Sequence, residues 1–398
     1  MAVVTWPKVG GGAGRRYRES HPVALAPPAV APRPSRSVSL SGSAIARPQM
    51  ATYCQERLIS QQALCIGLST FTRQQSGSET ETLYCQPNCV GPTYIGRQSP
   101  IGWRLMGITM RVVEKGMRLS GVRNWLVTKK KIDKWAANPR RPYAGRPGLW
   151  VRMKTDVVRR DISGWPSYEL RPKLSDSEAL RGHLLYLHGG GYVLDLVGTM
   201  HFPFIAKAAV DLRRTVTVPI YPLAPEHTYR DVYPVLIEAY RQILTVHDPN
   251  SVVFMGDSAG AALALGLCHA AKDAGMPQPR DVVLLSPWLH ADFPAPEVSA
   301  VAKIDPLLNL ELMRDVATRY ADGEALDHPL LSPGAGPLDG LPRITVVTGT
   351  HDLLNPDARA FRRRAQDENV NIGWFEVEGG IHGWLSREAW QYVRSILG

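Results

Sequence analysis

The sequence predicts an α/β fold class, a mostly parallel eight-stranded sheet with helices on both faces, and three observations carry that prediction. After Trp150, short apolar runs alternate with amphipathic stretches of helical length, the pattern of successive strand–helix–strand units. The two earliest runs lie close enough to form a hairpin before the alternation sets in. A G-x-S-x-G pentapeptide, Gly256-Asp257-Ser258-Ala259-Gly260, falls at a junction between one such run and the helix after it.

Taken in order, the strands are read at VRMKTDVV (151–158), PSYELRP (166–172), HLLYLH (183–188), TVTVPIY (215–221), SVVFMG (251–256), DVVLLS (281–286), ITVVTG (344–349) and GWFEVE (373–378). Helices are expected at His201–Leu212, Val232–Val246, Ala259–Ala274 and Asp357–Glu368. The interval from about Leu289 to Leu341 is too long for a plain connection. Its helical centre, NLELMRDVATRYA, predicts an inserted piece over the sheet edge. Upstream, residues 101–135 place Leu105, Ile108 and Val112 on one helical face, with Arg104, Arg111, Lys115 and Arg118 largely elsewhere. A lid packed on the protein with solvated charges is the expectation, and a peripheral membrane helix is the alternative.

Charge is distributed unevenly. The net +10 resolves into +6 over residues 1–100, +13 over 101–160 and −9 over 161–398. The body of the protein is therefore acidic, which argues against nucleic acid as a partner. Residues 1–50 are rich in Pro, Ala, Ser and Arg with one acid, Glu19, and the first hundred residues read as a poorly ordered extension. Their Arg-rich, acid-poor character resembles an organelle presequence, although the prolines would break an amphipathic targeting helix. The chain lacks an apolar run of the ~18 residues a transmembrane helix needs, and a cytoplasmic location is expected. Cys54, Cys65, Cys85, Cys89 and Cys268 offer one C-x3-C pair without a second, so unpaired thiols are expected rather than zinc ligands.

Chemistry concentrates in three places. In the pentapeptide, glycines two residues on either side of Ser258 give room for a sharp strand-to-helix turn that lifts the hydroxyl above the sheet. A serine needs a base, and the base needs an orienting carboxylate, in the chain order Ser, Asp or Glu, His. Asp352 follows the apolar strand ITVVTG, and His382 lies in the glycine-rich loop after the last strand. His351 and Asp357 are their rivals. The third place is LHGGGY, where three glycines after a strand allow backbone N–H groups to approach a developing oxyanion. The donors are assigned to Gly189, Gly190 and Ala259, with Gly191 turning the chain and His188 fixing the loop. Asp257 is read as serving the turn, and Glu226 as a scaffold for the oxyanion loop or a surface carboxylate. Trp103, Trp125, Trp288 and Leu307 suggest an apolar substrate group.

Together HGGGY (188–192), YPLAPEH (221–227), GDSAG (256–260), SPW (286–288), DP (305–306), the Asp352 segment and GGIHGW (379–384) resemble the hormone-sensitive-lipase-like branch of the α/β-hydrolases. The match runs from about residue 103 to the C-terminus. The resemblance implies an α/β-hydrolase core with a cap from about 101–147 and 290–330, and carboxylic-ester hydrolysis with no cofactor and no metal. The apolar residues of that expected cap suggest apolar small-molecule substrates: short-to-medium acyl esters, aryl esters, sterol acetates or lactones. Amide or arylacetamide hydrolysis is the alternative, followed by a non-catalytic ligand-binding member of the fold. His290 stands where relatives often carry an Asp.

Overall fold

The computed structural model describes residues 70–72, 82–84, 93–96, 128–138, 140, 145–383 and 385–398. Most of the expected N-terminal extension, its four cysteines, the helical stretch before residue 128, and Trp103 and Trp125 lie outside the described residues. Two short strands, β1 (Thr70–Thr72) and β2 (Thr82–Tyr84), form an antiparallel ribbon.

The eight expected strands are all present: β4 (Thr155–Ile162), β5 (Trp165–Pro172), β6 (His183–Leu187), β7 (Thr215–Pro219), β8 (Val252–Asp257), β9 (Asp281–Leu285), β10 (Arg343–Gly349) and β11 (Ile372–Val377). A short strand from the N-terminal region, β3 (Thr93–Gly96), pairs in parallel with β11 at the outer edge. The order across the sheet is β3-β11-β10-β9-β8-β6-β7-β5-β4. β4 pairs antiparallel with β5, and β5 with β7, while the pairs from β7 through β6, β8, β9, β10 and β11 to β3 are parallel.

One strand boundary differs from expectation. The residues VRMK belong to helix α2 (Leu149–Lys154), and β4 begins only at Thr155. Val151 is buried and its carbonyl accepts the Thr155 hydroxyl, so the apolar Val and Met here serve a helical turn before the chain extends. β4 and β5 close over Ser163–Gly164, both at positive φ, the geometry of a two-residue hairpin.

Burial on both faces explains the near-continuous apolar strands of the sheet centre. In β8, Val252 and Phe254 enter one core while Val253 and Met255 enter the other; β9 divides Val282 and Leu284 from Val283 and Leu285 in the same way. The first core takes helices α4 (Tyr229–Leu244), α5 (Ala259–Asp273) and α8 (Asn355–Asp367). The second takes α3 (His201–Leu212) and α9 (Arg387–Leu397). α5 is buried almost throughout, which its run of Ala, Leu and Gly permits.

Between β9 and β10 lie the short helix α6 (Val298–Val301) and α7 (Leu310–Ala321), the insertion expected at 290–330. The described part of the upstream basic stretch, α1 (Lys129–Ala137), meets α7 through ion pairs: Lys129 with Asp315 and Asp133 with Arg319. These exposed pairs are worth little individually. They do show that this helix directs part of its charge at the insertion, as a packed lid would. Among the described residues, none forms a helix long and apolar enough to cross a membrane.

Candidate active site

β8 ends and α5 begins without a spacer, so the chain turns at Ser258 with φ 55° and ψ −121°. A serine at positive φ is strained, and surrounding structure must hold it there. The Ser258 N–H donates to the Leu285 carbonyl at 2.8 Å, and its own carbonyl accepts from Trp288 N–H at 3.2 Å. The flanking glycines are a packing requirement. A Cβ at Gly256 would stand 2.2 Å from the Gly260 carbonyl oxygen, and one at Gly260 2.1 Å from that of Leu187.

The loops after β10 and β11 bring the sequence-predicted partners to this turn. His382 Nε2 lies 2.9 Å from Ser258 Oγ, and its Nδ1 lies 3.0 Å from each oxygen of Asp352. A carboxylate only accepts, so Nδ1 carries the proton and Nε2 is left to accept from the serine hydroxyl. Asp352 is fully buried and also accepts the Leu354 N–H. The two loops are laced together: Thr350 N–H donates to Val377, His351 N–H to Gly380, and Gly379 N–H to the Thr350 hydroxyl. Gly383 N–H reaches the Ser286 hydroxyl. Burial opposes the imidazolium of His382, but Asp352, Asp305 and Asp257 outweigh it and raise its pKa to about 9. The protonated state thus stabilises the fold fully below the ordinary histidine value, ~6.5, and that contribution is lost as pH rises through about 9.

Neither rival side chain is hydrogen-bonded to Ser258 or His382 among the described residues. His351 meets the His382 loop only through its backbone. Asp357, in the first turn of α8, accepts the Ala295 N–H of the insertion, and burial there raises its pKa to about 7.

The oxyanion loop needs one correction. Gly189 N–H donates to Asp257 Oδ1 at 2.9 Å, so it is turned toward the carboxylate and is not free for an oxyanion. The glycine is there for closeness: a Cβ would fall 2.2 Å from Asp257 Oδ2. Gly190, Gly191 and Ala259 have backbone N–H groups with no protein acceptor among the described residues, and all three glycines line the same cavity as Ser258. Asp257 does more than serve the turn. It also accepts from the Tyr186 hydroxyl at 2.6 Å and faces His201 Nε2 at 3.8 Å. Burial works against its charge, yet His201, Tyr186 and Gly189 together hold its pKa below the usual carboxylate range. His188 fixes the loop as expected: its ring stacks on Tyr221, Nδ1 donates to Gly189 O, and burial lowers its pKa to about 4.

Sequence reasoning missed Arg140. Its guanidinium forks onto Glu226, with Nε–Oε1 at 2.6 Å and Nη2–Oε2 at 2.8 Å, and it also donates to the carbonyls of Val193 and Ala224. Trp135 covers it at 4.0 Å. Glu226 is thus the loop scaffold, and its partner lies 86 residues away in a stretch that read only as basic. His290 is half-buried beside Gly334, and the Trp288 indole donates to its carbonyl.

Ser258 and His382 open into a cavity of about 750 Å³. Its walls are apolar: Val197, Met200 and Phe204 on one side, Leu308, Leu312 and Val316 of the insertion on the other. Trp288 and Leu307 line it as well. Among the described residues, no group of three or more His, Cys, Asp or Glu is arranged to hold a metal ion.

Comparison with known proteins identifies the fold family and its relatives. A family profile described as alpha/beta hydrolase fold matches residues 184–386. An acetyl-hydrolase of Streptomyces hygroscopicus is 32% identical over 54% of this chain and 71% of its own length. An esterase of Acinetobacter venetianus is 29% identical over 58% of this chain and 75% of its own. The crystal structure of an esterase from the bacterial hormone-sensitive lipase family superposes with a TM-score of 0.56 at 29% identity, over 67% of this chain and 94% of the esterase.

Proposed function

The chain belongs to the hormone-sensitive-lipase-like branch of the α/β-hydrolase fold family and is a carboxylic-ester hydrolase, and from that premise we propose that it works through a serine acyl-enzyme. Ser258 is the nucleophile, His382 the general base and Asp352 the group that orients the imidazole. The observation that carries this reading is the unbroken line from Asp352 through His382 to the Ser258 hydroxyl at the floor of the apolar cavity.

In the forward step His382 Nε2 takes the Ser258 proton as Oγ attacks the ester carbonyl, and Asp352 stabilises the imidazolium. The carbonyl oxygen gains charge opposite the N–H groups of Gly190, Gly191 and Ala259, each worth roughly 3–4 kcal/mol at such a site. The proton on His382 then passes to the departing alcohol. Water, activated by the same imidazole, cleaves the acyl-enzyme and releases the acid.

The substrate is an ester with an apolar acyl or alcohol group. The apolar walls support this, and the similarity to an acetyl-hydrolase supports a short acyl group. Hydrolysis of p-nitrophenyl butyrate and labelling by a fluorophosphonate test the assignment. Ser258→Ala should lose both while remaining folded; retained turnover in that variant would overturn it. A matched panel of esters, lactones and amides then orders the substrate classes.

A further inference from the structure

Asp305 is a buried carboxylate for which the acyl-transfer steps have no role. It lies in the insertion, between α6 and α7, and only 1% of its surface is exposed. All of its hydrogen-bond partners among the described residues are backbone donors. Oδ1 accepts from Leu307 N–H at 2.7 Å and Leu308 N–H at 2.9 Å, and Oδ2 accepts from Leu353 N–H at 2.7 Å. Leu307 and Leu308 line the cavity, whereas Leu353 directly follows Asp352. One carboxylate therefore joins the apolar wall to the loop that carries the orienting acid. Buried charges are kept only where they are compensated, and here the compensation spans 48 residues of sequence.

We propose that Asp305 is a positioning residue for ester hydrolysis: it ties the Asp352 loop to the insertion wall and keeps a second negative charge facing His382. The proposal rests on His382 being the general base. Three N–H donors, and no acceptor at its oxygens among the described residues, favour the ionised carboxylate, although burial and the neighbouring Asp352 raise its pKa. The ionisable groups acting on His382 are Asp352 after β10, Asp257 at the end of β8, and Asp305 from the insertion; Asp305 in turn faces Asp352 and His382. A charge that stabilises the imidazolium makes the imidazole a stronger base, and its removal should lower the pH at which the base becomes available.

The test is kcat/KM for p-nitrophenyl butyrate against pH, with the full chain as wild type, Asp305→Asn and Asp305→Glu. Wild type should show an acidic limb well above the ordinary histidine value of about 6.5. In Asp305→Asn the limb should move down by roughly one pH unit while the maximal rate falls, and Asp305→Glu, which keeps the charge, should restore the limb. A purely structural role would lower activity without moving the limb, and that result overturns the proposal. If Asp305→Asn does not fold, Asp305→Ser, which removes the charge and keeps a short oxygen acceptor, takes its place: a limb below that of wild type supports the proposal and an unmoved limb overturns it. Failure of the serine mechanism would show separately, as a wild-type chain that fluorophosphonate does not label, and failure of the Ser258 assignment as labelling that survives Ser258→Ala.

Discussion

The two loops that face each other across the Ser258 hydroxyl are held by opposite means. The loop after β10 and its neighbour after β11 carry Asp352 and His382, the side chains proposed to move a proton, and backbone hydrogen bonds bind the loops to each other: Thr350 to Val377, His351 to Gly380. The loop after β6 presents backbone N–H groups and is held by buried and half-buried side chains: Asp257, Tyr186, Tyr221 and the Arg140–Glu226 fork. Each half uses for support what the other uses for chemistry. The reason is one of supply. A segment whose N–H groups must stay free for a ligand cannot also spend them on a ladder, so side chains from elsewhere must fix it.

That contrast can be broken from either side. The largest effect is expected in the proton-moving half. Asp352→Asn should lower kcat about 10⁴-fold through the wrong imidazole tautomer, with the fold intact by circular dichroism. A loss under tenfold would mean that the backbone lacing alone orients His382. In the donor half, Asp257→Ala removes the acceptor for Gly189 and Tyr186 but touches no reacting atom. Its kcat should fall on the order of 10²-fold, the scale of one misplaced oxyanion donor, with KM little changed. Unchanged kcat would show that the glycine loop keeps its shape without the carboxylate. The smallest catalytic effect belongs to Arg140→Ala, whose cost should appear mainly as stability. Glu226, with a side chain only 5% exposed, would lose its partner. Chemical denaturation should report a loss of about 2–3 kcal/mol, toward the low end for a broken buried pair because Arg140 is partly solvated. Activity should drop less than tenfold.

Legibility from sequence followed the range of the interactions. Ser258, Asp352 and His382 could be read because each lies just beyond a strand whose apolar run is evident, and because the chain order of the three roles is restrictive. Helix His201–Leu212 was legible to the residue, since apolar period and length agreed. The start of β4 was not, because VRMK has the composition of a strand and only its packing makes it helical. Gly189 was misread for a related reason. Three consecutive glycines announce that backbone must come close to something, but not that the first gives its N–H to a carboxylate 68 residues away while the other two keep theirs without a protein acceptor among the described residues. Asp305 and Arg140 gave still less signal: one was two letters of a motif without a role, the other one more charge in a basic stretch.

By itself, then, the sequence determined the parallel α/β core and the strand-to-helix turn at Ser258, and it singled out the two groups, Asp352 and His382, that the structure brings to that turn. These depend on local periodicity and on glycine spacing, which are written consecutively along the chain. Only the tertiary structure decided which N–H groups remain free, which carboxylate supports which loop, and how the insertion wall joins the acid–base pair. Those depend on pairs such as Arg140 with Glu226 and Asp305 with Leu353, whose members are 86 and 48 residues apart and meet only once the sheet has brought their loops to the same edge.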